Sequence, residues 1–248
     1  VGGDIYISQT DPSNQAPSGG YAAGDTGVVT NKGGSWRFIP MGKAFADNSG
    51  PTLEHMYDVT SLDGGDKDLW VFGAHCFEWW SGCNSDEAVA IRSTDGGATW
   101  SFAMKDNSAP TSTYGFERAY WGREVNGKIY TQARGVTPAT PLHIYNGATD
   151  SWSDWGTSDQ YICNAWAGKS VVSFDNHLVC GEGSGSLMAF DGSTPRTITF
   201  ATNGGWVIDF YAAADGYLYV LDSNQGMYRT DSLSKPFTYL GKAGIADG

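Results

Sequence analysis

Five times along the chain, a tight-turn signal runs straight into an aliphatic and aromatic stretch. The clearest instance is Asp215-Gly216-Tyr217-Leu218-Tyr219-Val220, and Asn126-Gly127-Lys128-Ile129-Tyr130-Thr131 follows the same plan. Gly2-Gly3-Asp4-Ile5-Tyr6-Ile7, Lys67-Asp68-Leu69-Trp70-Val71 and Asp175-Asn176-His177-Leu178-Val179 are weaker copies. Asn-Gly and Asp-Gly pairs supply the positive φ angles that two-residue hairpins need. A supersecondary unit repeated five times implies a radial or stacked array, not one layered domain.

Each phrase has one extended segment before it and two after it. The fifth repeat reads 206–213, 217–222, 226–230 and 237–242; the fourth reads 165–174, 177–181, 186–190 and 197–201. The third reads 116–125, 128–133, 142–145 and 151–156, and the second 55–61, 68–74, 88–93 and 99–104. The first offers only three segments, 4–8, 27–31 and 35–41. Four antiparallel strands per repeat, a to d outward from an axis, make the blade of a β-propeller. The expectation is therefore an all-β chain, 1–248, forming a single propeller domain of five four-stranded blades. Its first blade is incomplete at the N-terminal end.

A second signature lies between strands c and d of the second repeat: Ser93-Thr94-Asp95-Gly96-Gly97-Ala98-Thr99-Trp100. It meets the Asp-box pattern, Ser/Thr-x-Asp-x-Gly-x-x-Trp, at Ser93, Asp95, Gly97 and Trp100. Degenerate copies stand at Thr30-Asn31-Lys32-Gly33-Gly34-Ser35-Trp36 and from Tyr145-Asn146-Gly147 to Trp152, with remnants at Phe190-Asp191-Gly192 and Arg229-Thr230-Asp231. In these repeats the chain resembles the Asp-box (BNR-repeat) propellers of the sialidase-like superfamily. That family includes sialidases, other glycoside hydrolases, sugar-binding propellers, sorting receptors, assembly factors and phage tail proteins. The resemblance implies that Asp95 serves folding, by accepting backbone N–H bonds inside the hairpin, and that Trp100 packs between blades.

Composition narrows the function classes. A net charge of −12 and 17% charged residues disfavour a nucleic-acid partner, which requires a basic surface, and an anionic membrane surface. No run of about 18 apolar residues suggests a membrane-inserted helix. The four cysteines show no zinc-type spacing, and their even number suggests disulfides in an oxidising compartment. The preferred pairing is Cys76–Cys83 and Cys163–Cys180, because each pair lies within one repeat; four buried free thiols are the alternative. The expected location is extracellular, secreted, or on a virion or cell surface. The chain begins without Met or a leader, which is read as processing or as excerpting from a longer chain or assembly.

Topology puts the a–b and c–d turns on one side of such a disc and the b–c loops on the other. The a–b turns read as mostly two-residue hairpins. The b–c loops are long, at 9–26, 75–87 and 134–141, so the b–c side is the candidate binding face. Strand a starts there, which brings His55, Glu117, Arg118, Trp166 and Trp206 near the mouth, with Trp79 and Trp80 on the rim. Trp rings stack on the C–H faces of sugars, so the leading expectation is a lectin-like or host-recognition module for a glycan or glycoprotein surface. A glycoside hydrolase is the alternative, with Glu117 as general acid and Asp58 or Asp209 as partner. An adhesion or phage-tail part is the third. Arg37 in Trp36-Arg37-Phe38-Ile39-Pro40 is similar to the sialidase Arg-Ile-Pro motif, but Phe38 interrupts it and an arginine triad is missing. No cofactor is expected. The acidic turn Asp63-Gly64-Gly65-Asp66-Lys67-Asp68 has a Ca²⁺-friendly composition without EF-hand spacing, and reads better as a solvated hairpin.

Overall fold

The structure, a computed structural model, describes residues 5–8, 27–41, 53–76, 86–106, 118–134, 142–156, 163, 171–181 and 185–242. Among them the regular elements are β-strands and one 3-10 turn at Leu62–Gly64. The chain divides into two compact units, Val1–Tyr161 and Ile162–Gly248.

The first unit holds three sheets. Sheet one contains β1 (Tyr6–Ser8), β2 (Gly27–Thr30) and β3 (Arg37–Pro40). Sheet two contains β4 (Leu53–Ser61), β5 (Leu69–Cys76), β6 (Asp86–Ser93) and β7 (Ser101–Asp106). Sheet three contains β8 (Arg118–Val125), β9 (Lys128–Arg134), β10 (Leu142–Asn146) and β11 (Ser151–Trp155). Each is an antiparallel meander in chain order, and the first has the three strands expected of it.

Successive side chains of a strand point to opposite faces, and in sheet two both faces are apolar. Trp70 and Phe72 of β5 lie beside Ala88 and Ala90 of β6, and all four are buried with Ala119, Ile129, Ala133 and Tyr145 of sheet three. Val71, Val89 and Ile91 leave by the other face and are buried with Val28 of sheet one, Met41 and Met56. Large residues thus meet small ones across the gap. The Phe72 ring lies where a Cβ on Gly122 would stand, about 1.9 Å away, so β8 can approach only with a glycine there. Each large side chain buried this way contributes about 1.5–3 kcal/mol.

One cation ties sheet two to sheet three. Arg92 donates from Nε and Nη2 to the two oxygens of Asp68, at 2.8 and 2.6 Å. Its Nη1 donates to Tyr145 Oη at 2.7 Å and to Asp150 at 3.0 Å. The guanidinium lies 5.1 and 5.2 Å from the centres of the Trp70 and Tyr145 rings. Burial and the hydrogen bond to Asp150 push the Tyr145 hydroxyl up to about 12.

Turn chemistry follows the sequence closely. Asn126 and Gly127 have φ of 52° and 74°, and Val125 pairs directly with Lys128, a two-residue hairpin. In the Ser93–Trp100 turn, Asp95 Oδ1 accepts the N–H groups of Ala98 and Thr99 and the Ser93 hydroxyl, while Oδ2 accepts the Thr99 hydroxyl at 2.6 Å. Trp100 closes the turn by donating from Nε1 to the Gly97 carbonyl and packs against the core between sheets one and two. The Thr99 hydroxyl foremost, with backbone N–H groups, pulls the Asp95 carboxyl down to about 2. The degenerate copy at residues 30–36 behaves differently. Asn31 Oδ1 accepts the N–H of Ile5 on the neighbouring strand, and Trp36 is exposed rather than packed.

The second unit holds two sheets. Sheet four contains β12 (Val171–Phe174), β13 (His177–Gly181), β14 (Ser186–Phe190) and β15 (Pro195–Thr199). Sheet five contains β16 (Val207–Ala212), β17 (Leu218–Asp222), β18 (Gly226–Thr230) and β19 (Thr238–Gly241). Val179, Leu187 and Ala189 of sheet four share a core with Phe210, Leu218 and Val220 of sheet five. Cys163 and Cys180 form the expected disulfide; the Cys76–Cys83 pairing lies outside the described side chains. Several expectations need correction. β7 runs Ser101–Asp106, two residues later than 99–104, and β4 and β6 begin two residues earlier than 55 and 88. β15 begins two residues earlier than 197–201, because Pro195 takes an edge position where no ladder N–H is required. The Asp215-Gly216 turn has three residues, not two: Ala213 N donates to Tyr217 O, and Gly216 supplies the single positive φ of 85°.

Replacing Arg92 with Met should cost about 2 kcal/mol, a partly solvated network being worth less than a fully buried one. That corresponds to a fall in Tm of about 6 °C by calorimetry. Gly122→Ala should cost about 1–3 kcal/mol through overpacking against Phe72. Because the folded-state pKa of Asp95 is depressed, its stabilisation is complete above its unfolded value and fades as pH falls from about 4 toward 2. Urea midpoints between pH 5 and 2 should fall less steeply for Asp95→Asn than for the native chain.

Candidate ligand site at the strand b to c ends

Hydrogen bonds sort the turns by side. In sheet two, Gly96 N of the c–d turn donates to Lys67 O of the a–b turn at 2.9 Å; in sheet three, Gly147 N donates to Gly127 O at 3.0 Å. These turns therefore share one end of each sheet, and strand a starts at the other, beside the end of strand b. Arg118, the first residue of β8, pairs with Arg134, the last of β9. Val207 pairs with Asp222 in the same way.

In the first unit, Arg118 and Asp58 sit on the adjoining strands β8 and β4. Arg118 Nη1 donates to Tyr57 Oη at 2.9 Å, and the Tyr57 and Tyr120 rings stand 4.6 Å apart. This cation with two tilted phenol rings is a half-buried cluster, and neither tyrosine was singled out from the sequence. No repeat position marks them in the sequence: Tyr57 is the fifth residue of β4 and Tyr120 the third of β8. Asp58 is occupied differently. Its Oδ2 is ion-paired with Arg123 and accepts the N–H of Gly122 at 3.0 Å, while Oδ1 accepts the N–H of Val59. It braces β4 against β8.

In the second unit, Trp206 stands just before β16 with 76% of its surface exposed. Its backbone is held by Ser223: Trp206 N donates to Ser223 Oγ at 3.0 Å, and Ser223 N donates back to Trp206 O at 2.9 Å. Ser223 belongs to the b–c turn, whose shape is set by Asp222. That carboxylate, 2% exposed, accepts the N–H groups of Gly205, Asn224 and Gln225 on one oxygen. The indole is thus displayed from a backbone that this turn fixes. Asp209 lies three residues along β16, exposed, with Oδ1 accepting the N–H of Phe210 at 2.9 Å.

Glu117, Trp79, Trp80 and Trp166 lie outside the described residues, as does the side chain of His55, whose backbone is third in β4. In the acidic turn, Asp66 pairs with Lys32 at 2.9 Å and Asp68 with Arg92. Lys32 holds the Asp66 carboxyl below its usual range. Among the described residues no three acidic, His or Cys side chains cluster for a metal.

The sequence matches no family model and no curated protein. Solved structures do match. One is the GH74 enzyme of Niastella koreensis, at 15% identity and a TM-score of 0.57, covering 98% of this chain and 36% of that one. Another is "YCF48 bound to D1 peptide", at 14% and 0.48, covering 86% and 62%. A third is the extracellular domain of the hybrid two-component system BT3049 from B. thetaiotaomicron, at 14% and 0.47, covering 92% and 30%. The chain therefore spans less than two thirds of the length of each. These are β-propellers, and the likeness to the N. koreensis enzyme speaks for that fold alone.

If Asp58 is a brace, Asp58→Ala should lower Tm by several degrees, the loss of a partly buried ion pair costing about 1–3 kcal/mol. Tyr57→Phe should leave Tm within about 2 °C, since it removes one half-exposed hydrogen bond. Thermal melts of the two variants side by side check both.

Proposed function

We propose that this chain is a carbohydrate-binding β-propeller, a lectin-like or surface-recognition module that takes glycans at the b–c ends of its blades. In this reading the five sheets are its successive blades, the first of them three-stranded, and the Ser93–Trp100 turn is an Asp-box of the sialidase-like kind. Trp206 carries the reading. An indole left in water forgoes the stabilisation that burial would bring. This one is exposed beside a turn that holds its backbone by two hydrogen bonds. A flat apolar ring suits the C–H face of a sugar. His55, Arg118, Trp79, Trp80 and Trp166 are the further residues proposed for ligand contact, and the charge of −12 favours a neutral glycan over an anionic one.

Binding without turnover is preferred to hydrolysis for a physical reason. A hydrolase built on Glu117 needs a second carboxylate free to act; of the two expected partners, Asp58 already holds Arg123 and the Gly122 N–H, which leaves Asp209 as the one candidate for that role. The Cys163–Cys180 disulfide supports an extracellular or surface location. A role as the adhesive part of a larger assembly is compatible with glycan binding.

A glycan array followed by calorimetry tests the proposal. The chain should bind at least one neutral glycan. Trp206→Ala should weaken that binding about tenfold, roughly the loss of one stacking contact, with Tm unchanged. Trp79→Ala and Trp80→Ala should weaken it as well. Silence across the array, or full binding by Trp206→Ala, would count against the proposal.

A further inference from the structure

We propose that Asn203 is a site of spontaneous covalent modification, losing its side-chain amide by cyclisation with Gly204, and that the fold directs this chemistry to the last of three Asn-Gly pairs. The pairs are Asn126-Gly127, Asn146-Gly147 and Asn203-Gly204. In each, the glycine nitrogen is the nucleophile. It attacks Asn Cγ, the new C–N bond closes a succinimide ring, and the side-chain nitrogen leaves as ammonia, taking up the proton that the glycine amide gives up. Water then opens the ring at one carbonyl or the other, giving aspartate or isoaspartate. Nothing is oxidised or reduced, and water is the co-reactant.

The first two pairs are held at the attacking atom. Gly127 N donates to Glu124 Oε1 at 2.7 Å, and Val125 pairs with Lys128 across the turn. Gly147 N donates to Gly127 O at 3.0 Å, and Asn146 Oδ1 accepts the N–H of Ala148 at 3.0 Å. To turn toward Cγ, each nitrogen must first give up its acceptor, and the hairpin around it must open.

Asn203 stands in the link from β15 to β16, outside any strand ladder. The link is anchored on both sides of it. Phe200 N and Ala201 N donate to Gly185 O; beyond, Gly185 N donates to Gly205 O and Gly205 N to Asp222 Oδ1. Between these anchors Gln225 Nε2 reaches the Asn203 carbonyl at 3.3 Å. Among the described residues, no hydrogen bond engages the Gly204 nitrogen or the Asn203 side chain. Asn203 is exposed, so water reaches it. Backbone geometry fixes both residues of the pair. Asn203 has a φ of 65°, which favours Asn or Gly. A Cβ at 204 would stand 2.3 Å from Gly185 Cα and 3.0 Å from Asp222 Oδ2, so that position requires glycine. The close approach therefore enforces the residue that shields its own nitrogen least. Either product adds a negative charge beside Asp222, and isoaspartate lengthens the main chain by a methylene between the anchors, which loosens the hold of Ser223 on Trp206.

Ageing the folded full chain in mildly alkaline buffer at body temperature, with peptide mapping by mass spectrometry, gives the test. Conversion at residue 203 should run roughly tenfold ahead of that at 126 and 146, about the factor that one hydrogen bond on the attacking nitrogen is worth. In guanidinium the unfolded chain should convert all three at comparable rates. Asn203→Gln should stop conversion at this position, because the longer side chain must close a larger ring, and should leave the rates at 126 and 146 unchanged. Mapping reads mass, so the outcome is independent of whether a glycan binds at Trp206. A folded chain in which 126 or 146 leads, or in which all three convert alike, overturns the proposal. So does a folded chain that converts nowhere while the unfolded one does, or an unfolded chain that keeps the folded order, which puts the cause in the sequence alone. Should Asn203→Gln fail to fold, the native chain compared folded and unfolded decides alone.

Discussion

Apolar side chains on both faces of a sheet are the constraint from which the rest follows. A sheet that is apolar on one side needs one neighbour; a sheet such as Leu69-Trp70-Val71-Phe72 with its partners needs two. Trp70 and Phe72 leave through one face and Val71 through the other, and each finds a different cluster. The core is then a series of thin layers between adjacent sheets, with no single centre. Stability in such an array is nearly a sum of nearest-neighbour terms. Details at each gap matter accordingly: a glycine at 122 that admits the Phe72 ring, and a guanidinium at 92 that bridges two carboxylates over two aromatic rings.

The carboxylates serve the same architecture. Every described aspartate whose acidity is shifted is shifted downward, by donors in its own turn or by a neighbouring cation: Asp66, Asp95, Asp150, Asp191, Asp215 and Asp231. A general acid at neutral pH needs the opposite shift. Asp95 and Asp191, both near 2, are hairpin clamps that stay ionised throughout the physiological range.

Much of the fold was legible because turn chemistry punctuates it. β13, β14 and β18 begin and end where the sequence reading places them, each bounded by Asn, Asp or Gly next to an apolar run. Strands at sheet edges were harder. β15 and β19 have little burial to impose alternation, so their ends were displaced by one or two residues. The loop at Asp215 was misjudged in length because Gly after Asp suits both a two-residue and a three-residue hairpin. The site was less legible than the fold. Trp206 could be placed by counting back from its repeat phrase. Asp58 could not be told from a catalytic acid, because its partners, Arg123 and the Gly122 N–H, are over 60 residues away and meet it only when two sheets stack. Tyr57 and Tyr120 were passed over for the same reason.

Exposure alone does not say what an aromatic residue is for, and two residues of sheet five show the difference. Trp206 lies off the end of a strand, fixed by backbone hydrogen bonds to a polar turn. A ligand there would meet one ring at the edge of that turn. Tyr211 lies mid-strand, in register with Tyr219 and one row from Leu221 and Met227. A ligand there would meet a broad, mostly apolar surface that leaves a sugar's hydroxyls without partners. Desolvating an unpaired hydroxyl costs about 1–3 kcal/mol, and a monosaccharide carries several. The same strand therefore carries two exposed aromatic surfaces of different chemistry, and the glycan-binding proposal rests on the one at its tip.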